Sequence, residues 1–347
     1  MKIKITHVKD ATLKLCCLLI AVVLVIVLAA SINRLTSAAV EERTAEITVG
    51  SYNILIQPYG DASFPSHVWQ DRKVIISNYI VNSDFDVLAL QEARHSAQRD
   101  ELMELLPNNW RIMQSHTTDG KDGENAIIWN NSTTELVDEG WEEIWPVGIY
   151  APTDQASFNA EARWLSWVLV RDRASNAEYF VFSTHLDHVS SELRQDQIES
   201  TLSIISTITS GYDLPVIFAG DMNSSQTSSV DSTIRAAGYQ SSLRDADTIV
   251  NDNYSTYQGF NNPSATGSPW VIDHIYYLPD GARALYYETD TSNYTGSDHL
   301  PVFARFSITN IVETEDPEVP IDEDDGTHDD SPAALLLPPN TGRGSSD

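Results

Sequence analysis

The sequence has almost no cysteine. Cys16 and Cys17 are the only two, and both lie in an N-terminal apolar run, so residues 35–347 contain none. That excludes a disulfide framework and a thiolate zinc site in the body of the protein. Basic side chains are scarce too. Lys and Arg number 21 against 50 Asp and Glu, for a formal charge of −29. Residues 46–308 carry 14 basic and 36 acidic side chains. Such a surface repels polyanions at long range and argues against a nucleic-acid scaffold held by a basic patch. Phosphate substrates remain open, because bound cations invert the sign locally. No internal repeat is present.

What the chain does have is an apolar start, an alternating middle and an acidic end. Lys2, Lys4, Lys9 and Lys14 precede an unbroken apolar run from Leu15 to Ala30. Extended to Ile32 and closed by Arg34, it would make a helix of about 27 Å at 1.5 Å per residue, close to the hydrocarbon thickness of a bilayer. Residues 1–34 are thus a signal peptide, cleaved after Ala38 or Ala39, or a signal anchor. Either way the body faces the outside. The expected location is extracytoplasmic, secreted or held at the membrane by the N-terminal helix if that helix is uncleaved. Residues 35–45 read as a linker. Residues 309–347 read as a disordered acidic, Pro-rich tail. Its Leu337-Pro338-Pro339-Asn340-Thr341-Gly342 resembles a sorting signal with one extra residue, but the apolar tail and basic terminus of such signals are missing.

Residues 46–308 alternate strand-like and helix-like stretches. Expected strands are Glu46–Ile54, Val87–Gln91, Ala126–Trp129, Trp164–Val170, Tyr179–Thr184, Val216–Ala219, Val271–Tyr277 and Val302–Ile308. Val68–Ile80 spaces Trp69, Ile75, Ile76, Tyr79 and Ile80 on one helical face. A second helix, Glu192–Ile208, starts after Ser190 and Ser191, which suit a cap.

Polar clusters interrupt these strands: Ser51-Tyr52-Asn53, Gln91-Glu92, Thr184-His185, Gly220-Asp221-Met222-Asn223, Asp273 and Ser297-Asp298-His299. Buried strands are ordinarily apolar, and polar groups placed there cost free energy unless they bind something. Glu92 and Asp298 offer carboxylates and Asn53 a neutral oxygen to a hard cation, which wants oxygen ligands. Gly220 permits a sharp turn that projects Asp221 and Asn223 together. His185 and His299 suit phosphate contact or proton transfer, and Asp273 could fix a histidine tautomer. Each residue alone has a plain structural reading, such as a strand-end hydrogen bonder for Asn53 or an ordinary turn for Asp221 and Asn223. His188 and His274 read as structural, and alternation turns His274 away from Asp273. Arg163 reads as a phosphate contact or a rim salt bridge, Arg94 and Arg194 as supporting ion pairs. Tyr257 and Trp270 read as core packing more readily than as a stacking surface.

In this order the clusters resemble the endonuclease/exonuclease/phosphatase superfamily, the deoxyribonuclease-I-like fold, over residues 46–308. Thr184-His185-Leu186-Asp187-His188 and Thr256-Tyr257-Gln258-Gly259-Phe260 resemble its metal-dependent hydrolase subgroup. The resemblance implies an α+β fold, a four-layer α/β/β/α sandwich of two packed mixed sheets. It implies Mg²⁺ or Mn²⁺ held by Asn53, Glu92 and Asp298. Asp221 would position the attacking water, and Asn223 would bind phosphate with His185 and Arg163. His299, paired with Asp273, would be the acid/base or phosphate contact. Met222 stands where the family usually has Phe. The expected protein is a monomeric phosphodiesterase on nucleic acid or nucleotides. A sphingomyelinase-type phospholipid phosphodiesterase, a phosphomonoesterase and a surface binding protein with an inactive fold are the alternatives.

Overall fold

Val87–Gln91 is a strand buried at every position, as a strand covered on both faces must be. Its alternate side chains serve different cores. Val87 and Ala89 join one apolar cluster, Leu88 and Leu90 another. This period-two division repeats across the fold and sets its layers.

The computed structural model describes residues 39–93, 96–114, 125–145 and 163–314. In chain order their strands are β1 (Ala39–Asn53), β2 (Val87–Gln91), β3 (Trp110–Ile112), β4 (Ala126–Asn130), β5 (Thr134–Trp145), β6 (Arg163–Asp172), β7 (Glu178–His185), β8 (Val216–Asp221), β9 (Gln240–Ser241), β10 (Thr248–Val250), β11 (Asp273–Tyr277), β12 (Ala282–Thr289) and β13 (Val302–Thr314). One sheet has the order β10-β12-β13-β1-β2-β4-β3, the other β5-β6-β7-β8-β11-β9. Both are mixed. β1 runs parallel to β2 and β2 antiparallel to β4, while β7 runs parallel to β8 and β8 antiparallel to β11.

The two sheets pack face to face through Val49, Ala89 and Ile127 on one side and Val181, Ile217 and Ile275 on the other. Helices α2 (Trp69–Asn82) and α3 (Ser96–Leu105), which follow the short α1 (Gln57–Ser63), cover the outer face of the first sheet with Trp69, Ile76, Ile80 and Leu102. Helices α4 (Ser191–Ile208) and α5 (Ser229–Ala236) cover the second with Ile198, Ile205, Val230 and Ile234. The short α6 (Ser242–Asp245) follows β9. The architecture is the expected α/β/β/α sandwich. Ser190 caps α4, its hydroxyl accepting from the Leu193 N–H at 3.2 Å.

Two boundaries differ from expectation. β1 begins at Ala39, so residues 39–45 are strand and not linker. β13 runs to Thr314, six residues beyond the expected end at 308. Val40–Glu313 make up one compact unit. β3, β5, β9, β10 and β12 were not foreseen. β5 lies at a sheet edge and carries Glu135, Asp138, Glu139, Glu142 and Glu143, charges that blunt an exposed edge and hide its strand character. Among the described residues no helix is long and apolar enough to cross a membrane. The 1–34 segment, Arg94 and the Leu337–Gly342 motif lie outside the described residues.

Candidate active site

The inner rows of five strands turn from apolar to polar at one end of the sandwich. β1 runs Ile47, Val49, Ser51, Asn53; β2 runs Val87, Ala89, Gln91; β7 runs Tyr179, Val181, Ser183, His185; β8 runs Ile217, Ala219, Asp221; and β11 contributes Asp273 beyond Ile275. Register aligns these ends. Asn53 lies opposite Gln91. His185 lies opposite Asp221, and Asp221 opposite Asp273. Beneath them Ser51 Oγ donates to Gln91 Oε1 at 3.3 Å, and Gln91 Nε2 donates to Ser183 Oγ at 3.2 Å, tying the two sheets together.

Gly220 makes this alignment possible. Its φ is +151°, and a Cβ there would run into the carbonyl oxygen of Thr184, its partner on β7. Gly220→Ala is expected to lower stability by about 1–3 kcal/mol, the usual cost of overpacking, and to shift Asp221. Urea unfolding of the variant measures the first effect and its turnover the second.

Most of the expected site residues converge. Asn53 Nδ2 donates to Glu92 Oε1 at 3.0 Å and to Asp221 Oδ2 at 3.1 Å. Its Oδ1 accepts from the Leu55 N–H at 3.0 Å. In this arrangement Asn53 bridges two carboxylates through its nitrogen, and the Leu55 N–H takes one lone pair of its oxygen. Glu92 Oε2 accepts from the Ile56 N–H at 2.8 Å. Asp221 Oδ1 accepts from the Asn223 N–H at 2.8 Å, and Asn223 Nδ2 donates to the Leu186 carbonyl at 3.0 Å. His185 Nε2 and His299 Nε2 lie 3.5 and 3.8 Å from Asp221 Oδ2. Six non-glycine residues among those described have positive φ, and Leu55, Glu92 and Asn223 are three of them. Backbone strain of this kind concentrates at functional sites.

Electrostatics give the cluster a sharp charge pattern. His299 Nδ1 is 2.8 Å from Asp273 Oδ2. Burial alone would lower the His299 pKa, but the carboxylates of Asp273, Asp221 and Asp298 raise it well above 6.5. The surrounding carboxylates favour the protonated ring, with Nδ1 donating to Asp273. Asp298 is 6% exposed. Burial raises its pKa, the cation at His299 opposes that, and the charge of Glu92 adds to it. Ser297 Oγ, 3.2 Å away, partly offsets the burial.

Several supporting residues were not foreseen. Arg72 is fully buried and donates to the carbonyls of Ile54 (2.6 Å), Leu55 (3.1 Å), His67 (2.9 Å) and Gly296 (3.3 Å). Its signal was available, because Arg72, Ile76 and Ile80 share one helical face. Gln98 braces the same loop, accepting from the Gln57 N–H and donating to the Leu55 carbonyl, each at 3.0 Å. Ser297 Oγ donates to the Asn53 carbonyl at 2.6 Å. Thr256 Oγ1 accepts from the N–H groups of Ile272 and Asp273.

Other residues fall elsewhere. Arg163 is buried at the start of β6. Alternation sets it on the row of Leu165 and Leu169, which face the helical layer, so the expected phosphate contact does not follow from its row. His274 faces outward as expected, with Nε2 2.9 Å from the Ser224 carbonyl oxygen. His188 is exposed. Arg194 donates to Ser224 Oγ and to the Asp187 carbonyl. Tyr257 and Trp270 are not core residues, being 39% and 50% exposed.

Comparison with known proteins agrees with this geometry. No match was found among curated protein sequences. The chain is similar in structure to an endonuclease/exonuclease/phosphatase family protein from Bacteroides thetaiotaomicron, at 24% identity and a TM-score of 0.66, covering 77% of this chain and 99% of that one. It is similar to a mannosyl-6-phosphatase of the same organism, at 24% identity and a TM-score of 0.63, covering 75% and 99%. It is also similar to D. rerio TDP2 complexed with a single-strand DNA product, at 17% identity and a TM-score of 0.52, covering 76% and 99%. At these identities the likeness establishes the fold. The family model described as "Endonuclease/Exonuclease/phosphatase family" matches residues 50–299, most of the chain and every residue of the converging cluster. The chain therefore belongs to the endonuclease/exonuclease/phosphatase family of phosphoric ester hydrolases.

Proposed function

We propose that the protein is a divalent-cation-dependent phosphodiesterase acting outside the cytoplasm on nucleotides or nucleic acid. The observation that carries this reading is the register of His185, Asp221 and Asp273 on three adjacent strands, with His299 closing the cluster and Glu92 and Asp298 beside it. The extracytoplasmic location and any membrane attachment rest on the lysine-flanked apolar run alone.

The donor set fits a hard cation. Glu92 and Asp298 repel each other, and burial disfavours the Asp298 charge; a bound cation relieves both effects. Asp221, Asp273 and His299 also present ligand atoms within 4.8 Å of one another. In that group, however, Asp273 Oδ2 is engaged by His299 Nδ1, and one donor is nitrogen. A cation that wants oxygen and keeps several waters favours Glu92 and Asp298. When bound there, Mg²⁺ or Mn²⁺ stabilises charge developing on phosphate oxygens.

The chain's own residues supply the rest. Asp221 orients the attacking water and takes its proton. Asp273 anchors His299 by Nδ1, which leaves Nε2 free to donate to a phosphate oxygen, and His185 donates from the facing strand. Asn223, fixed by Asp221 and Leu186, presents its remaining amide hydrogen to phosphate. Likeness in fold to a mannosyl-6-phosphatase favours a monoester as the second reading. A panel assay of the purified protein separates them. It compares plasmid DNA, RNA, bis-p-nitrophenyl phosphate, p-nitrophenyl phosphate and sphingomyelin with Mg²⁺, Mn²⁺ or chelator. Diester turnover stimulated by metal and abolished by chelator is expected. Monoester-only turnover replaces the first reading by the second, and no turnover anywhere removes both.

A further inference from the structure

Tyr257 and Trp270 sit beside the cluster, and their rings face water. Large apolar side chains left exposed in a contiguous pair mark a surface that something covers. The Tyr257 ring lies 5.2 Å from the His299 ring at an interplanar angle of 72°. Trp270 lies 5.8 Å beyond Tyr257 at 77°. Exposure climbs from 5% at His299 to 39% at Tyr257 and 50% at Trp270. Three rings thus run outward from the cluster into solvent.

Backbone bonds hold this arrangement against the residues that carry the chemistry. Tyr257 bridges to His299. The Gln258 and Gly259 N–H groups donate to the Asp298 carbonyl at 2.7 and 3.0 Å, and the Leu300 N–H donates to Thr256 at 2.6 Å. On the other side the Thr256 N–H donates to the Trp270 carbonyl at 3.2 Å, and the Trp270 N–H donates to Ser255 Oγ at 2.9 Å. These bonds fix the backbone that carries the two rings next to Asp298 and His299. Burial, with Asp298, Tyr59 and Glu92 nearby, raises the Tyr257 pKa, so the ring stays neutral.

We propose that Tyr257 and Trp270 are specificity residues, a stacking platform for the base of a short nucleotide ester whose phosphate lies at Asp221 and His299. The inference rests on the phosphoesterase reading and names its substrate class. A planar base can stack on exposed aromatic rings whatever its identity. A hexose would need polar groups for its hydroxyls, but the neighbouring amides of Gln258 and Asn261 are turned onto the Ser255 and Gln258 carbonyls. A long polyanion would meet the acidic surface of residues 46–308. Affinity for a mono- or dinucleotide comes instead from stacking next to the reacting phosphate.

The test compares kcat/KM for a thymidine dinucleotide, for glycerophosphocholine (a diester without an aromatic ring) and for mannose 6-phosphate. In Trp270→Ala and in Tyr257→Ala the dinucleotide-to-glycerophosphocholine ratio should fall about tenfold, mainly through KM. Trp270→Phe should keep most of it. An unchanged ratio, or a wild type that prefers mannose 6-phosphate, overturns the platform. Glu92→Ala tests the underlying reading separately, since it should silence every substrate whatever Trp270 does. If the wild type is silent on all three, the hydrolase reading fails. Calorimetry of thymidine monophosphate binding then still decides the platform, with about tenfold weakening in Trp270→Ala supporting it and no change overturning it.

Discussion

Asp221→Asn should lower kcat by about 10²–10⁴-fold, the range that general acid–base groups contribute, with a smaller change in KM. Asp221 is 1% exposed and stands between His185 and Asp273 in register. One oxygen fixes the Asn223 backbone, and the other receives Asn53 and faces both imidazoles. An amide keeps the first contact. It cannot take a proton from water, and its nitrogen would oppose the Asn53 nitrogen or the imidazoles, donor against donor. Shape is nearly unchanged, so the fold should survive, as a preserved thermal midpoint and circular dichroism spectrum would show. Steady-state kinetics on a phosphodiester with metal present checks the effect. A loss below about tenfold would remove Asp221 from the reaction.

Arg72→Met should cost roughly 3–5 kcal/mol of stability, since it leaves several buried carbonyls without their donor at about 1–3 kcal/mol each. The guanidinium is fully enclosed and serves four backbone carbonyls. Methionine fills similar volume but takes the donor from the Ile54, His67 and Gly296 carbonyls, at about 1–3 kcal/mol each where they cannot reach water, while the Leu55 carbonyl keeps Gln98. Three of the carbonyls belong to Ile54, Leu55 and Gly296, which adjoin Asn53 and the Ser297–Asp298 pair. Activity should therefore fall together with stability. Arg72→Lys should recover little, because an ammonium cannot reproduce the planar fork. Denaturant unfolding measures the difference. A loss under about 1 kcal/mol, within the range of an ordinary exposed ion pair, would show that water or other groups satisfy the loop.

These two residues also mark where the sequence was readable. Asp221 was legible through the ordered series of polar clusters, since alone it reads as an ordinary turn. The same series singled out His185 and Asp273, and alternation set His274 on the opposite face from Asp273. Arg72 was not legible in that way. One cation within an amphipathic helix reads as solvent-facing, and only its three-, four- and eight-residue spacing from Trp69, Ile76 and Ile80 counters that. The orientation of Asn53 could not be read at all. It depends on the local backbone, where the Leu55 N–H donates to the amide oxygen. The charged edge strand β5 was hidden by its own protective residues. Trp270 and Tyr257 were read as core because aromatic content points to burial, and only the loop path from Thr256 to Asp273 shows otherwise.

The proposed cation site brings carboxylates from remote strand ends together at the reacting phosphate. A crystal structure of the protein soaked with Mn²⁺, read by anomalous scattering, tests it most directly. The prediction is an ion on Glu92 with Asp298 in its coordination sphere, at about the 2.0–2.1 Å oxygen distances of a Mg²⁺-type site, and its disappearance in Glu92→Ala. An ion seated only on Asp221, Asp273 and His299, or none at all while chelator-treated protein still turns over a phosphodiester, would contradict it.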